Sequence, residues 1–149
     1  MKRYILTKKL KDASIAHRLV KNYPKSCRNI HGHTYHFEAT IELEGLDKYD
    51  MGIDFADIKK ICDKYIQDNW DHTTLVSAED KSFIRFLKKE NMKHFVFPGN
   101  TTAENMSEFL TTIFFVKLNA KYPNINCVQT RVWETEESSA SHTIFKDEI

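Results

Sequence analysis

Between residues 34 and 43 the chain alternates without a break. Tyr35, Phe37, Ala39, Ile41 and Leu43 are apolar, and Thr34, His36, Glu38, Thr40 and Glu42 between them are polar. Alternate side chains of a strand point to opposite faces, so this segment reads as a β-strand with one face buried and one in water. Such a strand needs neighbours to pair with and an apolar layer over its inner face. The rest of the chain offers both.

Roughly the first fifteen residues alternate imperfectly and are expected to form one strand. A turn is expected between Gly45 and Gly52. Asp54 then caps a helix whose apolar stripe is Ile58, Ile61, Cys62, Tyr65 and Ile66, ending near Trp70. A second short helix fits residues 77–91, with Ser77 as cap and Phe83, Phe86 and Leu87 inward. Residues 94–97 read as a short extended piece. Thr101-x-x-Glu104 is a capping-box pattern. It opens a helix with Met106, Phe109, Leu110, Ile113, Phe114 and Leu118 on its buried face, stopped by Tyr122-Pro123-Asn124. Two strands follow, over residues 126–134 and about 139–146. Paired strands separated by helices predict an α+β domain, an antiparallel four-stranded sheet with helices over one face. Residues 1–149 show no repeat or linker and are expected to form one domain.

Composition narrows the function. The 149 residues are 41% hydrophobic and 29% charged, enough for a core without staples. Lys and Arg number 22 against 21 Asp and Glu, a formal charge of +1. That excludes bulk attraction to nucleic acid or an acidic membrane, so any anion site is local. No apolar run approaches the ~20 residues of a membrane span. The charged N-terminus lacks a signal-peptide core. Three cysteines argue against a secreted disulfide framework, and a cytoplasmic location is the expectation.

The histidines are not equivalent. His31-Gly32-His33 leads into the alternating strand, and residues two apart share a face, here that of Tyr35 and Phe37. Two imidazoles at the end of a buried face suit a divalent metal, whose Zn–N bonds of about 2.0–2.1 Å require converging nitrogens. Ordinary loop histidines before a strand fit the same pattern. Gly32 lets the backbone turn both rings toward one point. A catalytic zinc takes three protein ligands and leaves a position for substrate, and His17 is the candidate third ligand. His36 has the opposite parity and reads as solvated. His94 and His142 show no partner pattern.

Cys27 lies four residues before His31, among Lys25, Ser26 and Arg28, and local positive charge favours a thiolate. Three roles fit it: a fourth zinc ligand, a general base, or a loop cysteine. Cys62 and Cys127 read as structural. Asp71-His72 reads as a surface pair or as an imidazole proton shuttle held by its carboxylate. Glu134 ends the apolar parity of its strand. It is either an exposed strand end or a carboxylate needing a partner, such as the guanidine-like edge of a heterocycle. Lys21, Lys25 and Arg28 are basic neighbours of the right sign for an anion.

Taken in order, these pieces resemble the 6-pyruvoyl-tetrahydropterin and 6-carboxy-tetrahydropterin synthase family. They are Ala16-His17-Arg18-Leu19, Cys27, His31-Gly32-His33-Thr34-Tyr35, Met51-Gly52-Ile53-Asp54-Phe55 with Ile58-Lys59, Asp71-His72 with Leu75, Thr102-Ala103-Glu104-Asn105, and Glu134-Thr135. The resemblance implies a tunnelling fold, in which a small antiparallel sheet packs on helices and subunits close into a β-barrel. A homotrimer or homohexamer with pterin sites between subunits is therefore expected. It implies one zinc per subunit on His17, His31 and His33, and a base at Cys27. It implies a proton-moving pair, Asp71 and His72, from the neighbouring subunit, and substrate binding by Glu134 and Thr102. The implied substrate is 7,8-dihydroneopterin triphosphate. The Cys27-x-x-x-His31 spacing is similar to the branch that forms 6-carboxytetrahydropterin, on the way to queuosine and other 7-deazapurines. Triphosphate elimination to the 6-pyruvoyl product is the alternative, and a non-catalytic pterin-binding module the other. The chain departs from the family pattern at Thr101, where proline is frequent. Residues 77–97 look like an added segment.

Overall fold

The structure, a computed structural model, describes residues 1–20 and 22–149, so Lys21 lies outside the described residues. Two strands, β1 (Arg3–Lys9) and β2 (Ala13–His17), precede the alternating segment where one was expected. The cause is a change of parity. Tyr4, Leu6 and Lys8 are the half-buried positions of β1, whereas Ala13, Ile15 and His17 are buried in β2. One straight strand cannot turn both sets inward, and the break between β1 and β2 makes the switch. The alternating segment belongs to β3 (His31–Glu44), longer at both ends than its pattern. β1 and β2 lie end to end along one side of β3, both antiparallel, with Arg3 opposite Glu44 and His17 opposite His31.

Asp54 caps the first helix as expected, its carboxylate accepting from the Ala56 N–H at 2.8 Å. This helix, α1 (residues 55–69), is π-helical over Lys59–Asp63 and ends at Trp70. Strand β4 (Thr73–Ser77) follows. All five of its residues are buried, so there is no period of two to read, and Ser77 is a strand residue and not a helix cap. Helix α2 (Lys81–Lys89) starts from Asp80. Phe83 and Leu87 are buried, but Phe86 is half exposed and stacks on Phe83. Strand β5 (His94–Phe97), helix α3 (Ala103–Lys121), and strands β6 (Ile125–Trp133) and β7 (Ser139–Phe145) complete the order. Thr102 caps α3, one residue later than the capping-box reading, its hydroxyl accepting from the Asn105 N–H at 3.3 Å.

The α+β class holds, but the sheet is seven-stranded and mixed where four antiparallel strands were expected. Its order is β5-β4-β2-β3-β6-β7, with β1 beside β3. β4 runs parallel to β2, and β5 parallel to β4; the other pairings are antiparallel. The sheet curls against α1 and α3. Ile41, Val128 and Val132 from its inner face share one core with Leu110 and Phe114 of α3. Trp70, fully buried, gathers Phe37, Phe95, Phe97 and Phe109 at ring separations of 5.9–6.3 Å. That aromatic cluster fixes the end of α1 against β3, β5 and α3. Among the described residues, no helix is long and apolar enough to cross a membrane.

Candidate metal centre and active site

The β2–β3 register builds the site. His17 sits directly opposite His31, and His33 is two residues farther along the same face of β3. The ring centroids lie 4.5 Å apart for His17 and His31, 5.0 Å for His31 and His33, and 5.4 Å for His17 and His33. Gly32, between the two β3 histidines, permits the approach of β2. A Cβ there would stand 3.2 Å from the Ile15 carbonyl oxygen. Close strand contact, and not a special backbone angle, is therefore what this glycine provides.

Glu134 arrives from the other side, just past the end of β6, where its N–H donates to the Ser138 carbonyl at 3.1 Å. Its Oε1 lies 3.1 Å from His33 Nε2 and 3.9 Å from His17 Nε2. The 3.1 Å approach lacks hydrogen-bond alignment, so among the described residues His33 Nε2 is buried without a hydrogen-bond partner, as is His31 Nε2. One donor atom from each of His17, His31, His33 and Glu134 falls within 4.8 Å of the others.

Hydrogen bonds set the tautomers. His17 Nδ1 lies 2.9 Å from the Thr101 carbonyl oxygen, and His31 Nδ1 lies 2.7 Å from that of Asn29. A carbonyl only accepts, so both Nδ1 atoms carry a proton, and in the neutral ring the lone pair is then on Nε2. Burial drives the His17 pKa down to about 4; positive charge on His31 and His33 adds to this, and the Thr101 carbonyl opposes it. His33 is also lowered, by burial first, against the pull of Glu134. Burial favours the neutral form of His17 and His33, and the Nε2 atoms of His31 and His33, unpartnered among the described residues, converge with His17 Nε2 in a donor set that fits a divalent metal.

Tyr35, which its parity alone places on the histidine face, proves to be a polar member of the site. Its hydroxyl is 3.3 Å from His17 Nε2 and is the only donor of that pair. Burial, then the charges of Glu134 and Cys27, push the phenol far above its ordinary value, so it stays protonated.

Cys27 sits in a short 3₁₀ turn, Ser26–Arg28, tied down by its carbonyl accepting from the Leu19 N–H at 2.9 Å. It borders a cavity of about 180 Å³ together with His17, His31, Thr102, Glu104 and Glu134. The thiol is outside the four-atom donor group. Asp71 and His72 are not on this cavity. The His72 N–H donates to the Ser14 carbonyl at 2.8 Å, and Asp71 accepts from the Ser14 N–H at 2.9 Å. Ser14 lies on the exposed face of β2, opposite to His17. The two side chains pair through Asp71 Oδ2 and His72 Nδ1 at 2.9 Å, and His72 is 81% exposed. The Ser14 N–H, then His72, hold the Asp71 carboxyl below its usual range. His72 opens onto a second cavity with Thr34, Thr74 and Lys93, of which His33 forms one wall. The remaining histidines behave as ordinary side chains: His36 pairs with Asp12 at 2.7 Å, and His94 Nδ1 bonds the Met92 carbonyl at 2.8 Å.

A profile of the family described as 6-pyruvoyl tetrahydropterin synthase matches residues 6–144. The chain belongs to this family. A 6-carboxy-5,6,7,8-tetrahydropterin synthase from Haemophilus influenzae is 33% identical over 129 residues, covering 80% of this chain and 86% of its own. The protein of the same name from Rickettsia conorii is 34% identical over 103 residues, covering 68% and 74%. Among solved structures, a catalytic-residue mutant of Plasmodium vivax 6-pyruvoyltetrahydropterin synthase superposes with a TM-score of 0.78 at 13% identity, covering 97% of this chain and 99% of that one. An uncharacterized protein from Wolinella succinogenes gives 0.77 at 16% identity, covering 98% and 99%. The fold is therefore the tunnelling fold of the tetrahydropterin synthases, with β1, β2, β3, β6 and β7 in its antiparallel pairings.

Proposed function

We propose that the chain is a zinc-dependent 6-carboxy-5,6,7,8-tetrahydropterin synthase acting on 7,8-dihydroneopterin triphosphate and releasing acetaldehyde and triphosphate. The observation that carries this reading is the convergence of three histidine rings and a carboxylate in one donor group, beside a cavity that also holds a thiol. The names of its relatives and the short Cys27–His31 spacing favour the carboxy product. His17, His31 and His33 would hold the metal, whose Lewis acidity toward the substrate's side-chain hydroxyls is the chemistry it supplies when bound.

The protein's own groups do the rest. Cys27, on the cavity wall and outside the donor group, takes a proton from the substrate side chain. Asp71 holds the His72 imidazole, which moves a proton at the other side-chain oxygen. Glu134 accepts two N–H bonds from the pterin edge, and Thr102 lines the same pocket. Tyr35 keeps its proton and remains a hydrogen-bond donor at the floor of the site. Because Asp71 and His72 face away from the chain's own cavity, they act on a neighbouring copy, within a homotrimer or homohexamer. Three unpaired cysteines suit a reducing compartment, and we place the enzyme in the cytoplasm.

Incubating zinc-loaded protein with 7,8-dihydroneopterin triphosphate tests the reading. Acetaldehyde released in step with triphosphate supports it. Triphosphate release with a 6-pyruvoyl product would assign the alternative reaction. Tight pterin binding without turnover would make the chain a binding module.

A further inference from the structure

Thr101 escapes the sequence reading because it resembles a helix cap. The cap is Thr102, which leaves the Thr101 side chain free for another partner. That partner is His17. Thr101 Oγ1 and the Thr101 carbonyl oxygen both lie 2.9 Å from His17 Nδ1, across 84 residues of sequence. Both residues are buried, at 0% and 2% exposure, so water does not compete for the contact. One acceptor fixes where a ring N–H points but leaves the ring free to turn about that bond. A second acceptor restricts the turn as well.

Asn100, the residue before Thr101, is itself held through both its side chain and its carbonyl. The Val20 N–H donates to Asn100 Oδ1 at 3.0 Å, and Asn105 Nδ2 donates to the Asn100 carbonyl at 2.9 Å. The start of α3 is thereby fastened to the chain that leaves β2 just after His17. The next residues, Thr102, Ala103 and Glu104, line the cavity.

We propose that Thr101 is a positioning residue of the metal site, its carbonyl and hydroxyl together holding the His17 ring with Nε2 turned into the donor cluster. This rests on the metal reading above. Any residue at 101 offers the carbonyl, but only a hydroxyl side chain offers the second acceptor. An outer partner of a ligating histidine fixes its tautomer and orientation, and losing one costs about 10- to 100-fold in metal affinity.

The test compares wild type with Thr101→Val, which keeps shape and carbonyl, and Thr101→Ser, which keeps the hydroxyl. Zinc affinity is read by competition with a chromophoric chelator, and ligand geometry from the visible spectrum of the cobalt(II) form. Thr101→Val is expected to bind zinc about tenfold more weakly with an altered cobalt spectrum, and Thr101→Ser to restore both. Tight wild-type binding with an unchanged affinity and spectrum in Thr101→Val overturns the role of Thr101 and leaves the metal site standing. Absence of zinc binding in wild type overturns the metal site and this role with it. A measurement independent of any variant is the nitrogen-15 spectrum of metal-free wild type. His17 is expected as the Nδ1–H tautomer, and an Nε2–H signal overturns the proposal.

Discussion

Burying His17 in neutral form makes stability depend on pH. Its folded pKa of about 4 lies below the ordinary 6.5, so between those values the unfolded chain binds a proton that the folded chain refuses. The contribution is complete above pH 6.5, falls as pH drops toward 4, and levels off below, a total of about 3 kcal/mol. The lowered carboxyls of Asp57, Asp71 and Asp80 act in the same direction but only below their ordinary 3.8, so the windows separate. Urea titrations of metal-free protein from pH 7 to 4 should show this slope, and His17→Gln should reduce it to the part left by His33. Equal slopes would refute the buried neutral imidazole. Glu134 raises a different question, because its Oε1 at 3.1 Å from His33 suits a ligand as well as a pterin anchor. Glu134→Ala is expected to keep its zinc and to bind pterin about 30- to 1,000-fold more weakly, the equivalent of about 2–4 kcal/mol for a buried charge-assisted pair. Loss of zinc with unchanged pterin affinity would make it a ligand instead. At this scale the sequence is legible where parity speaks. His31, His33 and Tyr35 share a face because they alternate, and His17 follows from needing a third ligand. Thr101 is not legible, since its partner is distant in sequence and its local pattern mimics a cap.

Helix α2 and strands β4 and β5 form the part of the fold least visible in sequence. β4 is buried throughout and so has no period, and the Phe83–Leu87 face of α2 packs with Val76 in a small cluster separate from the main core. What fastens this part beside the site is Arg18, the residue after His17. Its guanidinium donates to both Asp80 oxygens, at 2.7 and 2.8 Å, and lies 4.7 Å from the centre of the Phe83 ring. The Asp80 side chain is 7% exposed and its carboxyl is held below the usual range by Arg18. Arg18→Met would leave that carboxylate without its countercharge. A loss of about 1–3 kcal/mol in urea denaturation is expected, discounted for the part of Arg18 that reaches solvent. Adding Asp80→Asn should recover part of it, because the double variant no longer buries a charge. No loss in Arg18→Met would mean that the helix is held by its apolar cluster alone. By contrast, β3, α1 and α3 are legible because each is buried on one side only and shows that asymmetry as a period of two or of three and four.

The whole molecule presents a division that a single copy does not resolve. Cys27, Glu134, His17 and His31 gather on one cavity, whereas Asp71 and His72 hang from the exposed face of β2. If both groups serve one substrate, two copies must meet, with the Asp71–His72 face of one against the Cys27 cavity of the next. The sheet leaves room for such closure, since β5 and β7 end its order with one neighbour each, and a ring of copies covers open edges. Sedimentation should then show a trimer or hexamer, and the division predicts complementation. Cys27→Ala and His72→Ala are each expected to lose activity by about 10²-fold or more, the scale of a removed acid–base group. Mixed and reassembled in equal amounts, they should recover about a quarter of wild-type activity. In a head-to-tail ring, that fraction of random junctions pairs an intact Cys27 with an intact His72. Sites contained within one copy cannot be rescued this way, whatever the oligomeric state. Full assembly of the mixture with no recovery would therefore place Cys27 and His72 of each site in a single chain. A monodisperse, active wild-type monomer would do the same without any mixing.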